Sequence, residues 1–348
     1  MNVVSLAAGI GILAATIYLA VVGRPILVPL VIAVFVWYLL GALARALEQV
    51  KVKGRTAPHG VCLAASILIM LAAIWLLIEL IATNVEAVRA AAPTYQKNLE
   101  DLIARSGTTL GIQGLPSFAE MTEQISVGSL ISLVAGALAG MAGNVGTVLL
   151  YVIFLLIEQR GIDHKISAFI DNPARERTVR AALQDIGVQV QTYVWLKTLT
   201  SVLTGLLSWA VLALVGVDFA VFWSIMLTVL NFIPYVGSVV GVALPSLLAL
   251  LQFGTIEAFL AILGGLTVVQ LIVGNAIEPR ALGKSLNLSP LVILLSLAVW
   301  GSIWGVTGMV LCVPLMVILM IVLAHIPRAR RIAILLSQEG RIDWGQRP

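Results

Sequence analysis

Charge is scarce in this chain: 17 acidic and 21 basic residues among 348, or 11% of the sequence. A water-soluble domain ordinarily carries about 25%, so a surface exposed to water on all sides is excluded. Hydrophobic residues make up 60%, and that surplus needs a medium as apolar as itself, which a bilayer provides. Cysteine is nearly absent. Cys62 and Cys312 lie in separate apolar runs without ligand spacing, which excludes a disulfide framework and a thiolate metal site. Histidine is as rare: His59 and His164 fall in expected loops and His325 at a helix end. No nucleophile–base pair, phosphate loop or metal-spaced cluster is legible, so no catalytic residue, cofactor or metal is expected. The basic residues form short clusters between apolar runs instead of a stripe, which argues against nucleic acid as a partner.

What the chain does have is long stretches free of Asp, Glu, Lys and Arg. They cover residues 6–23, 25–44, 61–78, 128–157, 198–217, 219–252, 259–277 and 288–323. A helix of about 20 residues crosses about 30 Å of hydrocarbon, so most of these runs predict one span each. Those at 128–157, 219–252 and 288–323 are longer than one crossing requires. The first run has neither a basic leader nor a small-residue cleavage site, and it predicts a true helix and not a signal peptide.

Lys and Arg in the loops predict orientation. Arg45, Lys51, Lys53 and Arg55 crowd the loop after the second run, which is expected in the cytoplasm. Residues 84–127 carry Glu86, Glu100, Asp101, Glu120 and Glu123 against three basic residues and are expected outside. Arg160, Lys165, Arg175, Arg177 and Arg180, and then Arg328, Arg330 and Arg331 in the tail, are expected inside. Both termini then fall in the cytoplasm. Between spans, Val85, Val88, Leu99, Leu102 and Ile103 repeat at helical spacing around Pro93, predicting an external amphipathic helix or pair. Asp171-Asn172-Pro173 signals the start of a second, surface-type helix reaching about residue 193. Either could instead lie along the membrane surface.

The two long runs near the carboxyl end are interrupted. In 219–252 the interruption is Asn231-Phe232-Ile233-Pro234-Tyr235-Val236-Gly237-Ser238. In 288–323 it is Gly301-Ser302-Ile303-Trp304-Gly305-Val306-Thr307-Gly308. Each arm is then expected to hold about 13–15 residues, about 20 Å of helix and too short to cross. Two interrupted segments in one chain point to a transporter binding site. As re-entrant hairpins, the first enters from outside and the second from inside, and their breaks approach each other near the midplane around a wet cavity. A single kinked span, or two short helices joined by a turn, is the alternative for each.

Among acidic groups near membrane depth, Glu79, Glu158 and Glu257 sit at span ends and read as interfacial. Glu278 differs: it lies in Gly274-Asn275-Ala276-Ile277-Glu278-Pro279-Arg280, where proline frees backbone groups and Arg280 stands close enough to pair. It is either a coupling carboxylate or half of a structural ion pair. Asn231 is either a contact for a polar solute or a cap on the broken helix; Ser238, Ser302 and Thr307 are lesser candidates of the same kind. Gly136, Gly140, Gly143 and Gly146 predict close helix packing. The expected pathway residues are therefore Asn231, Pro234, Gly237, Ser238, Asn275, Glu278, Arg280, Gly305 and Gly308.

These same motifs resemble the AI-2E transporter family, the PerM-like permeases. The resemblance rests on 231–238, on Gly274-Asn275 with Glu278-Pro279-Arg280-Ala281-Leu282-Gly283-Lys284, and on Leu288-Ser289-Pro290-Leu291. It continues through Trp300-Gly301, Gly305, Gly308-Met309 and Val313-Pro314-Leu315, with an earlier match at Pro29-Leu30-Val31-Ile32-Ala33. It covers roughly residues 20–335 and departs at Gly41-Ala42, where many members carry an Asn-Pro pair. It implies an oligomeric transporter, exporting the quorum-sensing furanone AI-2 in some members and exchanging sodium or lithium for protons in others. For exchange, Glu278 is the best available titratable group. For AI-2, Asn231 and Ser238 would meet the hydroxyls.

The expected architecture is all-α, a polytopic helical membrane protein with about six full spans plus two broken or re-entrant helical hairpins. It divides into spans 1–3 (1–83), an external helical segment (84–127), span 4 (128–158), a cytoplasmic helical segment (159–195), a transport core (196–325) and a basic tail (326–348). The expected setting is the bacterial cytoplasmic (inner) membrane, multi-pass, with the lipid bilayer as one partner and a small polar solute, or a monovalent cation and a proton, as the other. The competing readings from a different class are a channel, which needs no coupling carboxylate, and a non-transporting membrane scaffold built on 84–127. A homo-oligomer is expected in each case.

Overall fold

Where the sequence runs apolar for a spanning length, the described residues are helical. The computed structural model describes residues 3–52, 55–110, 145–159, 161–282 and 287–342. The helices are α1 (Val3–Val22), α2 (Arg24–Glu48), α3 (His59–Leu110), α4 (Val145–Glu158), α5 (Ile162–Phe169) and α6 (Pro173–Val215). There follow α7 (Ala220–Leu230), α8 (Val236–Phe253), α9 (Ile256–Gln270), a π-helix (Leu271–Ile277), α10 (Glu278–Leu282), α11 (Pro290–His325) and α12 (Arg330–Leu336). A two-residue β-ladder, Lys51–Val52 against Arg55–Thr56, closes the basic turn after α2. Among the described residues, six helical segments are long and apolar enough to cross a membrane, or seven if the bent pair α4–α5 is one span. This is a polytopic helical membrane protein.

The chain forms two compact units. One comprises Met1–Ser66, Gly143–Trp195 and Leu282–Pro348; the other comprises Ile67–Ala142 and Leu196–Ala281. In the first, α2 packs on α4, with the Trp37 indole donating to Gln159 Oε1 at 3.0 Å. Gly41, where the family pattern departs, lies inside α2 with its α-carbon against the Gln191 side chain. The predicted start at Asp171-Asn172-Pro173 holds: Asn172 Oδ1 accepts from the N–H groups of Ala174 and Arg175, capping α6. That helix does not stop near residue 193 but reaches Val215, 43 residues in all. Arg180 fastens α5 beside it by donating to Asp163 Oδ1 (2.7 Å) and Ser167 Oγ (2.8 Å), while its Nε donates to Glu176 one turn back on α6 (2.9 Å).

The second unit is built around a core of Leu212, Phe222, Trp223, Leu227, Val242, Leu248, Ile262 and Leu266. Lipid tails are as apolar as these side chains, so helix association here depends on close fit and not on hydrophobic burial alone. Glycines supply the fit: Gly241 faces Leu227, and Gly265 faces Val211. Of the expected packing glycines, Gly146 meets nothing within 4 Å among the described residues, and Gly136, Gly140 and Gly143 lie outside them.

The expected helix or pair around Pro93 is the continuation of α3, which spans with His59–Leu80 and passes through Pro93 to Leu110; residues 111–127 lie outside the described residues. Beyond the span, Tyr95 donates to Asp218 Oδ2 at 2.9 Å, and Asn98 donates to the carbonyls of Leu251 (2.9 Å) and Gln252 (3.1 Å). Burial first, then the Asp218 hydrogen bond and charge, push the Tyr95 phenol up, so it remains a donor throughout the physiological range. Gln252 completes the clamp, accepting from the Asp218 N–H (2.7 Å) and donating to the Gly216 carbonyl (3.0 Å). Tyr95→Phe is expected to lower stability by about 1 kcal/mol, read as a lower unfolding midpoint of the detergent-solubilised protein. An unchanged midpoint would show that this clamp holds nothing.

Candidate functional site

Both predicted interruptions are real breaks in the helix, and both turn the chain back on itself. In the second unit α7 ends at Leu230 and α8 starts at Val236. Pro234 has no N–H to continue the ladder, Tyr235 takes a positive φ of 59°, and the Val236 N–H closes onto the Pro234 carbonyl at 2.6 Å. The two ends of this segment meet, because Asp218 and Gln252 are hydrogen-bonded to each other. A single kinked span is therefore wrong for 219–252. The arms are also unequal, with 11 residues in α7 and 18 in α8, or about 16 Å and 27 Å. Only the first is too short to cross, contrary to the expectation of two short arms: α8 continues to the αL residue Gly254.

The break in the first unit is at Gly305 (φ 63°, ψ −143°), inside α11. Gly301 abuts the Met309 side chain, and Gly308 abuts the Trp300 carbonyl. Residues eight apart on one straight helix stand about 12 Å apart along its axis, so these contacts define an antiparallel hairpin and again exclude one kinked span. Its arms run from Pro290 to the break and from the break to His325. At its base, Leu288 bridges to Ser337, and Asn287 Nδ2 donates to the Arg341 carbonyl at 2.6 Å. At its tip the Trp304 indole donates to the Ala20 carbonyl at 3.0 Å, and Arg24 Nη2 reaches the Trp304 carbonyl at 3.5 Å. Arg24 stands between the charge-free runs 6–23 and 25–44, and a lone charge inside an otherwise apolar stretch was the available signal. Ser302 donates to the Val299 carbonyl one turn back.

Polar and charged side chains converge in the second unit. Lys197, Ser201, Thr204 and Ser208 are all buried along α6, at helical spacings of four, three and four that place them on one face. Lys197, only 6% exposed, donates to Glu278 Oε1 at 2.6 Å. One turn on, Ser201 Oγ accepts from Asn231 Nδ2 at 3.0 Å. One face of α6 thus holds the α7–α8 break and the Glu278 segment within about 6 Å along its axis. Asn231, the C-cap residue of α7, also cross-links that helix to α6 through its side chain.

The expected Glu278–Arg280 pair is absent. Arg280 Nη1 donates instead to the Ala276 carbonyl at 3.0 Å, because side chains two apart on a helix do not face each other. Glu278 itself follows the π-helix, and its N–H reaches five residues back to Val273. Pro279 lacks the donor that would tighten the next turn, and single π-turns inside α-helices recur at functional sites. Asn275 is exposed within this widened turn. Ser238 is half-buried with its hydroxyl donated to the Tyr235 carbonyl at 2.8 Å, and Gly237 is packed against the Leu230 carbonyl. The structure therefore brings Asn231 and Glu278 together through α6. Gly305 and Gly308 shape the other hairpin in the other unit.

Lys197 was missed in the sequence because it stands one residue before the charge-free run 198–217. Its signal was the hydroxyl series at 201, 204 and 208, in register with it on a spanning helix.

Comparison with known proteins agrees with this architecture. The model of the AI-2E family transporter matches residues 10–328. The chain is 30% identical over 319 residues to the AI-2 transport protein TqsA of Escherichia coli K12, covering 90% of this chain and 89% of that protein. It is 30% identical over 288 residues to the putative transport protein YhhT of the same strain, covering 81% of each. A putative transport protein of Haemophilus influenzae is 29% identical over 341 residues, 94% of this chain and 95% of its own length. On a match running through nearly all its spans and both hairpins, the chain belongs to the AI-2E transporter family.

Proposed function

We propose that this chain is an ion-coupled secondary transporter that exports a small polar solute of the autoinducer-2 type across the bacterial cytoplasmic membrane. The Lys197–Glu278 pair carries the coupling. Removing such ions from water costs on the order of several kcal/mol each, and an ionisable group inside a span is by default a functional one. The solute class is taken from the Escherichia coli relative named as an AI-2 transport protein. In this reading the α7–α8 hairpin enters from outside and the α11 hairpin from the cytoplasm. Both termini are cytoplasmic, following the Lys and Arg distribution, and the working form is a homo-oligomer.

The same pair favours a second reading, exchange of sodium or lithium for protons at Glu278, since this carboxylate already holds a monovalent cation in the form of the Lys197 ammonium. Flux into proteoliposomes, with AI-2, sodium and lithium compared under an imposed pH gradient, separates the two. Saturable AI-2 movement supports the first, and cation movement that collapses the gradient supports the second. A protein that moves none of the three is not a transporter of either kind.

A further inference from the structure

We propose that the outer face of α12 docks anionic phospholipid, with Arg328 and Arg331 holding the headgroup phosphate and Ile332 and Leu335 set among the acyl chains. Backbone hydrogen bonds from Arg330 to Ile326 and from Ala333 to Ala329 carry helical spacing back to residue 326, ahead of α12 itself. Residues 328, 331, 332 and 335 then stand at i, i+3, i+4 and i+7 and share one face. Exposure agrees: Leu335 is 80% and Ile332 52% exposed, while Ala333 on the opposite face is fully buried. The helix is turned the wrong way for water, with alanine inside and its large aliphatic side chains outside. The two cations on that face are also unclaimed. Arg330, which separates them in the chain, is half-buried and donates to the Ile342 carbonyl at 3.0 Å. Arg328 and Arg331 are exposed, with no hydrogen-bond or ion-pair partner among the described residues.

The setting selects the ligand. α12 follows directly on α11, which is long and apolar enough to cross a membrane. It is fastened to the base of the α11 hairpin: the Ser289 N–H donates to the Leu336 carbonyl, and the Gln338 N–H to the Asn287 carbonyl, each at 3.0 Å. The outer face therefore lies where a membrane segment ends, at the boundary between hydrocarbon and water. At that depth aliphatic side chains enter the acyl region while guanidinium groups reach the phosphates. A guanidinium pairs with two phosphate oxygens at once, and basic residues flanking a spanning helix favour anionic over zwitterionic lipid. A soluble acidic partner would satisfy the arginines but leave Ile332 and Leu335 without an apolar contact. A second copy docking this face on itself would oppose four guanidinium groups.

The test uses the full-length protein in detergent, stripped of lipid and then given phosphatidylglycerol or phosphatidylcholine with the same acyl chains. Native mass spectrometry counts bound lipid, and the unfolding midpoint is followed in parallel. The wild type is expected to retain phosphatidylglycerol in preference and to gain midpoint with it, because α12 braces the hairpin base. The double variant Arg328→Gln, Arg331→Gln should match the wild-type midpoint without lipid, since neither side chain holds the fold. It should need about 30-fold more phosphatidylglycerol for the same gain. Leu335→Ser keeps both arginines and should still lose part of the retention, as the apolar half of the face is removed. Wild-type retention by either variant overturns the proposal; if the double variant also loses its oligomer, the face is a contact between copies. Inorganic phosphate alone producing the full midpoint gain overturns it as well, and would mark a free-anion site.

Discussion

Glu278→Gln is expected to abolish coupled flux and to destabilise the protein at the same time. The substitution leaves the Lys197 ammonium buried without its partner, and breaking a buried pair from one side costs about 3–5 kcal/mol. The 19% exposure of the Glu278 side chain places the loss at the lower end. Adding Lys197→Met in the same chain removes the stranded charge. Replacing a buried pair by apolar residues of similar size is often neutral or better, so the double variant should recover the wild-type unfolding midpoint. Flux should not recover. Stability and transport then separate: the single variant loses both, the double variant only transport. Flux by the double variant at the wild-type level would show the pair to be structural. A single variant as stable as the wild type would show that the pair contributes nothing to the fold.

Gly237→Ala and Gly308→Ala are expected to produce the largest structural losses. A Cβ on Gly237 would sit deep inside van der Waals contact with the Leu230 carbonyl, and one on Gly308 would do the same to the Trp300 carbonyl. The obstacle in both cases is backbone, which has no rotamer to change. Overpacking ordinarily costs about 1–3 kcal/mol. Here relief requires opening a hairpin turn, so about 3 kcal/mol or more is expected, a large part of a net stability of about 5–15 kcal/mol. Gly264→Ala is the control: nothing lies within 4 Å of its Cβ position, and replacing a helix-interior glycine gains about 0.5–1 kcal/mol. Yield of monodisperse protein and unfolding midpoint read the series. Equal behaviour of Gly237→Ala and Gly264→Ala would mean that the α7 and α8 arms do not approach as closely as described.

The places where helicity fails were legible because they depend on covalent chemistry. Pro234 lacks an N–H wherever it stands, and Gly305 tolerates a φ that other residues resist. The return of each chain segment to its own starting side was not legible. It is visible only in contacts such as Asp218 with Gln252 and Leu288 with Ser337, which join residues far apart in the chain. The lengths of the arms were misjudged because the real break is shorter than the eight-residue interruption: α8 already starts at Val236, inside it, and continues through Pro245 to Phe253.

Glu278 shows where local reasoning stops. Its importance could be read from a carboxylate at membrane depth beside a proline, and its nearest cation along the chain is Arg280. Yet a helix points residues two apart in different directions, and the ammonium that reaches Glu278 comes from α6. Apolar composition, helix length and the positions of proline and glycine belong to the chain itself, since each follows from side-chain chemistry within a few residues. The choice of partner for a buried charge belongs to the folded molecule, because it depends on which helix lies alongside and which of its faces is turned inward.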